Sequence, residues 1–95
     1  MFGLIGCMRA ASGRRDELLA ILAAQIGDMP GCRSYVVAAD VKDADAIWIS
    51  EVWDSEADHK ASLALPHVQA TIAMARPLIA GFDSQVITRP VGGVI

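Results

Sequence analysis

An α+β fold, in which four strands make one antiparallel sheet with helices on a single face, is what this 95-residue sequence predicts. Three observations predict it. Strand-like and helix-like runs follow one another as strand, helix, strand, strand, helix, strand, the split βαβ (βαββαβ) arrangement of a ferredoxin-like fold. Only the polar linker Val41-Lys42-Asp43-Ala44-Asp45 separates the two middle strands, which makes them an antiparallel hairpin. The length suits one domain and one core, spanning 1–95.

Phe2 to Arg9 is an apolar run that stops at a Ser-Gly pair and reads as a buried first strand. Ser12 is expected to cap the helix that follows, with Asp16 and Glu17 in its early turns. Its apolar stripe is Leu18, Ile21, Leu22 and Ile26, flanked by Leu19, and Gly27 ends it. After the turn Asp28-Met29-Pro30-Gly31, Cys32 to Asp40 and Ala46 to Trp53 are the hairpin strands. In the second of these, Ile47, Ile49, Glu51 and Trp53 face one way, and Trp48, Ser50 and Val52 the other. Asp54 or Ser55 caps a second helix reaching Leu65, with Asp58 in a capping-box-like position. Pro66 then starts a further helical piece carrying Val68, Ile72, Ala75 and Leu78 or Ile79, which Pro77 and Gly81 are expected to end. Phe82 to Thr88 alternates as the last strand. The apolar, glycine-rich tail beyond Pro90 is either frayed or adds to a partner's edge.

Hydrophobic residues make up 54% of the chain, generous for a small domain. A sheet with one uncovered face bearing Trp48 and Val52 would expose an apolar patch, and a homodimer paired through that face would cover it. The net charge of −3 argues against nucleic acid as a partner, since phosphate binding needs a basic face and Arg9, Arg14 and Arg15 do not supply one. No apolar run reaches membrane-spanning length, and Phe2 to Met8 lacks the flanks of a signal peptide, so a soluble, unprocessed, cytoplasmic protein is expected. Cys7 and Cys32 form no CxxC pair and read as small buried hydrophobes. The sequence has no P-loop, dinucleotide fingerprint, hydrolase triad or metal-ligand cluster, and neither cofactor nor metal is expected.

The titratable candidates are few. His59, early in the second helix, carries an imidazole suited to accepting a proton near neutrality, or else is one more polar residue in the charged run Asp54 to Lys60. His67 follows Pro66 at a helix start, and exposure accounts for it. Glu51 shares a strand face with Trp53, which places it either beside an aromatic wall or in a cross-strand ion pair with lysine or arginine. Tyr35, Trp48, Trp53 and Phe82 are core residues or, if they converge, the wall of a site for a flat organic ligand.

The segments GCRSYVVAAD, IWISEVWDSEADHKASLALPHVQATI and ARPLIAGF, between Gly31 and Phe82, resemble the antibiotic biosynthesis monooxygenase family, and its quinol monooxygenase-like branch in particular. The resemblance rests on the Gly31 turn before Tyr35, the strand end Glu51-Val52-Trp53, His59, and the stretch from Leu63 to Phe82 with Pro66 and Pro77. It implies a dimeric α+β barrel with a pocket in each subunit between sheet and helices. It also implies a monooxygenase that needs no metal or flavin, in which a phenol or quinol loses a proton and its anion reduces oxygen. By matching positions, His59 would face the pocket as the base and Trp53 would be the aromatic at the strand end. Glu51 would support them, with Tyr35, Trp48, Leu63 and Phe82 as substrate-binding wall. Other roles compatible with the resemblance are a non-catalytic, stress-associated or small-aromatic-binding dimer, and an isomerase or lactone-handling enzyme. Haem-degrading relatives carry an asparagine on the first strand and a tryptophan on the second helix. This chain has no asparagine and no tryptophan there, which disfavours haem degradation and asparagine-dependent oxygen chemistry. Tyr35, Ser50 or Trp48 would then be the donors to a developing anion.

Overall fold

The structure, a computed structural model, describes residues 1–24 and 28–95. Strand β1 (Phe2–Ala10) leads to helix α1 (Arg15–Ala23), the hairpin β2 (Cys32–Ala39) and β3 (Ala46–Trp53), helices α2 (Glu56–Ser62) and α3 (Pro66–Ala75), a 3-10 turn (Arg76–Leu78) and β4 (Ile79–Thr88). All strand pairs are antiparallel and the order across the sheet is β2-β3-β1-β4, the βαββαβ ferredoxin-like arrangement. The most apolar strands, β1 and β3, sit in the centre, with Leu4 opposite Glu51 and Cys7 opposite Trp48. Ala10, Leu18, Leu22, Ile47, Ala75 and Leu78 form the core between sheet and helices. Among the described residues no helix is long and apolar enough to cross a membrane.

Several element ends differ from those expected, each for a local reason. Ser12 does not cap α1: the helix opens at Arg15 with Arg14 in the cap position and no side-chain cap bond. Gly13, at φ +74°, turns the chain just before it. Ile26 and Gly27, expected at the end of this helix, lie outside the described residues. Ser55 does cap α2, its Oγ accepting from the Asp58 N–H at 3.1 Å. That helix stops at Ser62 rather than Leu65, because Pro66 holds Leu65 extended at φ −68°, ψ 134°. The residues between wind tightly, the Leu63, Ala64 and Leu65 N–H groups donating to the carbonyls of Lys60, Ala61 and Ser62. Gly81 ends no helix. The chain leaves α3 through the turn containing Pro77 and pairs with β1 from Ile79 onward, so Gly81 lies within β4 opposite Arg9.

The basic residues near the N-terminus hold this frame together. Arg9 Nη2 meets Asp43 Oδ2 at 2.8 Å and Asp83 Oδ2 at 2.7 Å, and Arg14 pairs with Glu17 at 2.8 Å. Arg15 Nη1 donates to the carbonyls of Asp40 at 3.0 Å and Asp43 at 2.7 Å, fastening the hairpin loop to α1.

Candidate active site between the sheet and the helices

The two-residue alternation of β3 decides which side chains meet the helices. Ile47 and Trp53 are 0% and 1% exposed on the helix side, whereas Trp48 is 38% exposed on the uncovered face. Between the sheet and α2 and α3 lies a cavity of about 310 Å³, within the size range of small-molecule sites. Tyr35, Glu51, Trp53, His59, Leu63 and Phe82 all line it. Trp48 does not, and its expected place in the binding wall is corrected accordingly: its Nε1 donates to Asp40 Oδ2 at 2.8 Å across the hairpin on the outer side. Ser50 shares that outer face, so of the three expected anion donors only Tyr35 reaches the cavity.

Glu51 is set by its neighbour two residues on. The Trp53 indole Nε1 donates to Glu51 Oε1 at 3.0 Å. The residues directly across from Glu51 on the adjoining strands are Tyr35 and Leu4, neither a cation, so the cross-strand ion pair open to it from sequence is not the arrangement formed. Burial pushes the carboxyl pKa up, against the opposing pull of the Trp53 hydrogen bond and of His59. Burial likewise pushes the Tyr35 phenol up to about 12, with the nearby Glu51 adding to the effect. At neutral pH Tyr35 is therefore an un-ionised hydroxyl able to donate a hydrogen bond.

His59 is placed by ring contacts. Its imidazole stacks on Phe2 with centroids 5.5 Å apart and planes at 29°, and meets Trp53 edge-on at 5.5 Å and 68°. Phe2 arrives there because β1 and β3 pair it with Trp53. The hydroxyls of Ser62 and Thr71 also border the cavity, but they donate to the carbonyls of His59 at 2.6 Å and His67 at 3.1 Å. His67 stands apart from the cavity, half-buried rather than exposed, with its Nε2 sealed from solvent and lacking a hydrogen-bond partner among the described residues. Cys7 is buried and Cys32 half-buried; both are free thiols whose pKa burial raises. Among the described residues no three His, Cys, Asp or Glu side chains converge as metal ligands would.

The sequence reading missed Met8, Met29, Ile72 and Ile79, which belong to the apolar wall together with Leu22, Ile49, Val68 and Ala75. Met8 was recoverable, since it alternates with Leu4 and Ala10 on the inner face of β1. Met29 was not, because it reaches the cavity from a loop. Among the described residues, the result is a largely apolar chamber with one carboxylate, one imidazole and one phenol along its sheet side and α2. Such a site can accept a proton from an aromatic hydroxyl and hold the resulting anion away from water.

The model of the antibiotic biosynthesis monooxygenase family matches residues 1–74. A crystal structure from Chloroflexus aurantiacus J-10-fl, named as a candidate antibiotic biosynthesis monooxygenase, is 63% identical, with 97% of this chain and 94% of that chain covered and a TM-score of 0.93. Similarly named proteins are more distant. One from Deinococcus radiodurans is 23% identical over 100% of this chain and 97% of its own, with a TM-score of 0.76. One from Nitrosomonas europaea is 15% identical over 97% and 100%, with a TM-score of 0.80, and these two speak for the fold alone. No curated protein matches the chain. A family model covering most of the sequence, together with a near relative that shares both its fold and most of its residues, places this chain in the antibiotic biosynthesis monooxygenase family.

Proposed function

We propose that the chain is a monooxygenase of the quinol-oxidising kind, working on a small quinol or polyphenol with O2 and with neither metal nor organic cofactor. The observation that carries this reading is the Glu51 carboxylate, oriented by the Trp53 indole inside a largely apolar, aromatic-lined cavity. A carboxylate whose pKa is raised by burial is a stronger base than an exposed one. In this reading Glu51, rather than His59, takes the proton of a phenolic hydroxyl, while Tyr35 and His59 donate hydrogen bonds to the substrate oxygens. The electron-rich anion reduces O2 and forms a C–O bond at the ring carbon beside its oxygen. The hydroperoxide so formed loses the hydrogen of that carbon and its distal oxygen as water. Quinol and O2 thus give a hydroxyquinone and one water, with four electrons leaving the organic molecule.

The same reading takes 1–95 as one domain of a cytoplasmic protein, for which the two free thiols are the support. It makes the working unit a homodimer paired through the uncovered sheet face, where Ile5, Val36, Trp48 and Val86 are all exposed. Oxygen uptake with a panel of reduced naphthoquinols tests the chemistry. Uptake well above autoxidation, abolished in Glu51→Gln and reduced in His59→Ala, is the expected result. Saturable binding of the same compounds without uptake would instead support a small-aromatic-binding module.

A further inference from the structure

The cavity does not end at its mouth. Ile72, Ile79 and Phe82 belong both to its wall and to a surface groove of about 350 Å³. Leu63 and Ile72 are shared in the same way with a second groove of about 310 Å³. Arg76, exposed where α3 passes into the 3-10 turn, borders both grooves and is absent from the cavity wall. Phe82, 72% exposed, stands at the junction.

Charge is segregated along this path. Glu51 is the one carboxylate among the described residues of the cavity wall, which includes no lysine or arginine. Arg9, Arg14 and Arg33 are each engaged with a carboxylate, and Arg15 with the hairpin carbonyls. Arg76 has no ion pair among the described residues. From inside to outside, the surface therefore runs from a carboxylate, past the shared apolar residues Ile72 and Phe82, to an uncommitted guanidinium.

We infer that the site takes a bipolar ligand: an uncharged hydroxylated ring seated toward Glu51, joined through an apolar spacer to an anionic group held at Arg76. An anion on the ring itself would lie beside the Glu51 carboxylate in a poorly screened chamber whose described wall holds no lysine or arginine to meet it, and is rejected. An anion at the far end of a spacer reaches a guanidinium whose planar fork suits carboxylate or phosphate oxygens. This inference rests on the reading of the cavity as the substrate site, and it concerns which phenols enter rather than what happens to them.

Redox-stable naphthols separate the two questions. The probes are 2-naphthol, the same ring with a carboxylate on a short alkyl chain on the far side, and 3-hydroxy-2-naphthoate, whose carboxylate adjoins the hydroxyl. Affinities are measured by calorimetry on the wild-type protein, on Arg76→Gln and on Arg76→Lys. The far-side carboxylate is expected to bind about tenfold more tightly than 2-naphthol, consistent with one charge-assisted contact. The adjoining carboxylate is expected to bind at least about tenfold more weakly. Arg76→Gln should erase the advantage of the far-side carboxylate and leave 2-naphthol affinity unchanged, while Arg76→Lys retains part of it. Equal affinity for the neutral and far-side-carboxylate probes overturns the inference, as does an advantage that survives in Arg76→Gln or failure of every naphthol to bind. The expected pattern without oxygen uptake from quinols would leave charge selection standing and remove the oxygenase reading alone.

Discussion

Alanine at position 31 should unsettle the open side of the cavity, and the size of the effect can be worked out from two separate causes. Gly31 sits at φ +83°, a region that costs a residue with a Cβ about 1–2 kcal/mol. A Cβ built there would also stand 2.5 Å from Asp58 Cγ and Oδ2 and 2.7 Å from Asp58 Cβ. Rotating the Asp58 side chain clears the carboxyl group, but its Cβ is fixed to the backbone of α2, so the start of that helix must move. Overpacking of this kind costs about 1–3 kcal/mol. Stiffening the unfolded chain offsets about 0.4–1 kcal/mol, leaving a net loss of about 1–5 kcal/mol. At about 4–8 °C per kcal/mol for a domain of this size, the melting temperature of Gly31→Ala should fall by at least about 4 °C. Urea denaturation of Gly31→Ala, Asp58→Ala and the double variant forms a cycle that isolates the contact. Asp58→Ala removes two of the three close atoms, so the Gly31→Ala penalty should shrink by about 1 kcal/mol in its presence. Because α2 also carries His59, 2-naphthol affinity should weaken in Gly31→Ala and partly recover in the double variant. Tolerance of Gly31→Ala would refute the reasoning, and additive energies would refute its steric half.

Three further outcomes follow from the same contacts. Glu51 has a folded pKa raised above its unfolded value, so its contribution to stability is complete below about pH 4.3 and is lost as pH rises through the folded value. Glu51→Gln keeps an oxygen that can accept from Trp53 and should therefore have a higher urea midpoint than wild type at pH 7, the gap closing near pH 4. Asp40 behaves oppositely: the Trp48 indole and the N–H groups of Asp43 and Lys42 hold its pKa down to about 2. Its contribution is present above about pH 3.9 and lost as pH falls toward 2, so the stability deficit of Asp40→Ala at pH 7 should shrink across that window in thermal melts. Trp48→Arg, on the outer face, should convert the proposed dimer to monomer in sedimentation velocity while leaving 2-naphthol affinity unchanged. A variant that remains dimeric would refute pairing through that face.

Where a residue's fate depends on local alternation, the sequence was enough to locate it. Glu51 and Trp53 point inward and Trp48 outward because strand side chains alternate, and the hairpin follows from a short polar linker. Convergence was harder to see. Phe2 against His59 and Tyr35 across from Glu51 are separated by many residues, and only strand pairing brings them together. From sequence Trp48 reads as part of the wall because an aromatic residue signals a site equally well on either face. Helix ends failed for a different reason: Ser12 is a good capping residue by type, but the turn through Gly13 delays the helix beyond its reach. At Gly81, pairing with β1 outweighed the usual reading of glycine as a helix stop.

The choice of partner for Glu51 bears directly on what this carboxylate can do. An arginine in place of Trp53 would also orient it, but a full positive charge at hydrogen-bond distance holds a carboxylate ionised and depresses its affinity for a proton. The Trp53 indole orients Glu51 with a neutral donor at 3.0 Å, and burial still carries the pKa upward. The carboxylate is thus fixed in direction without being neutralised. That combination is suited to a base and ill-suited to a structural ion pair. It also explains why the cation of this region belongs outside. An arginine at the position of Ile72 or Ile79 would lie in the cavity wall and weaken the proposed base, whereas Arg76 lies outside that wall, where it would meet the proposed anionic substituent and leave the basicity of Glu51 intact.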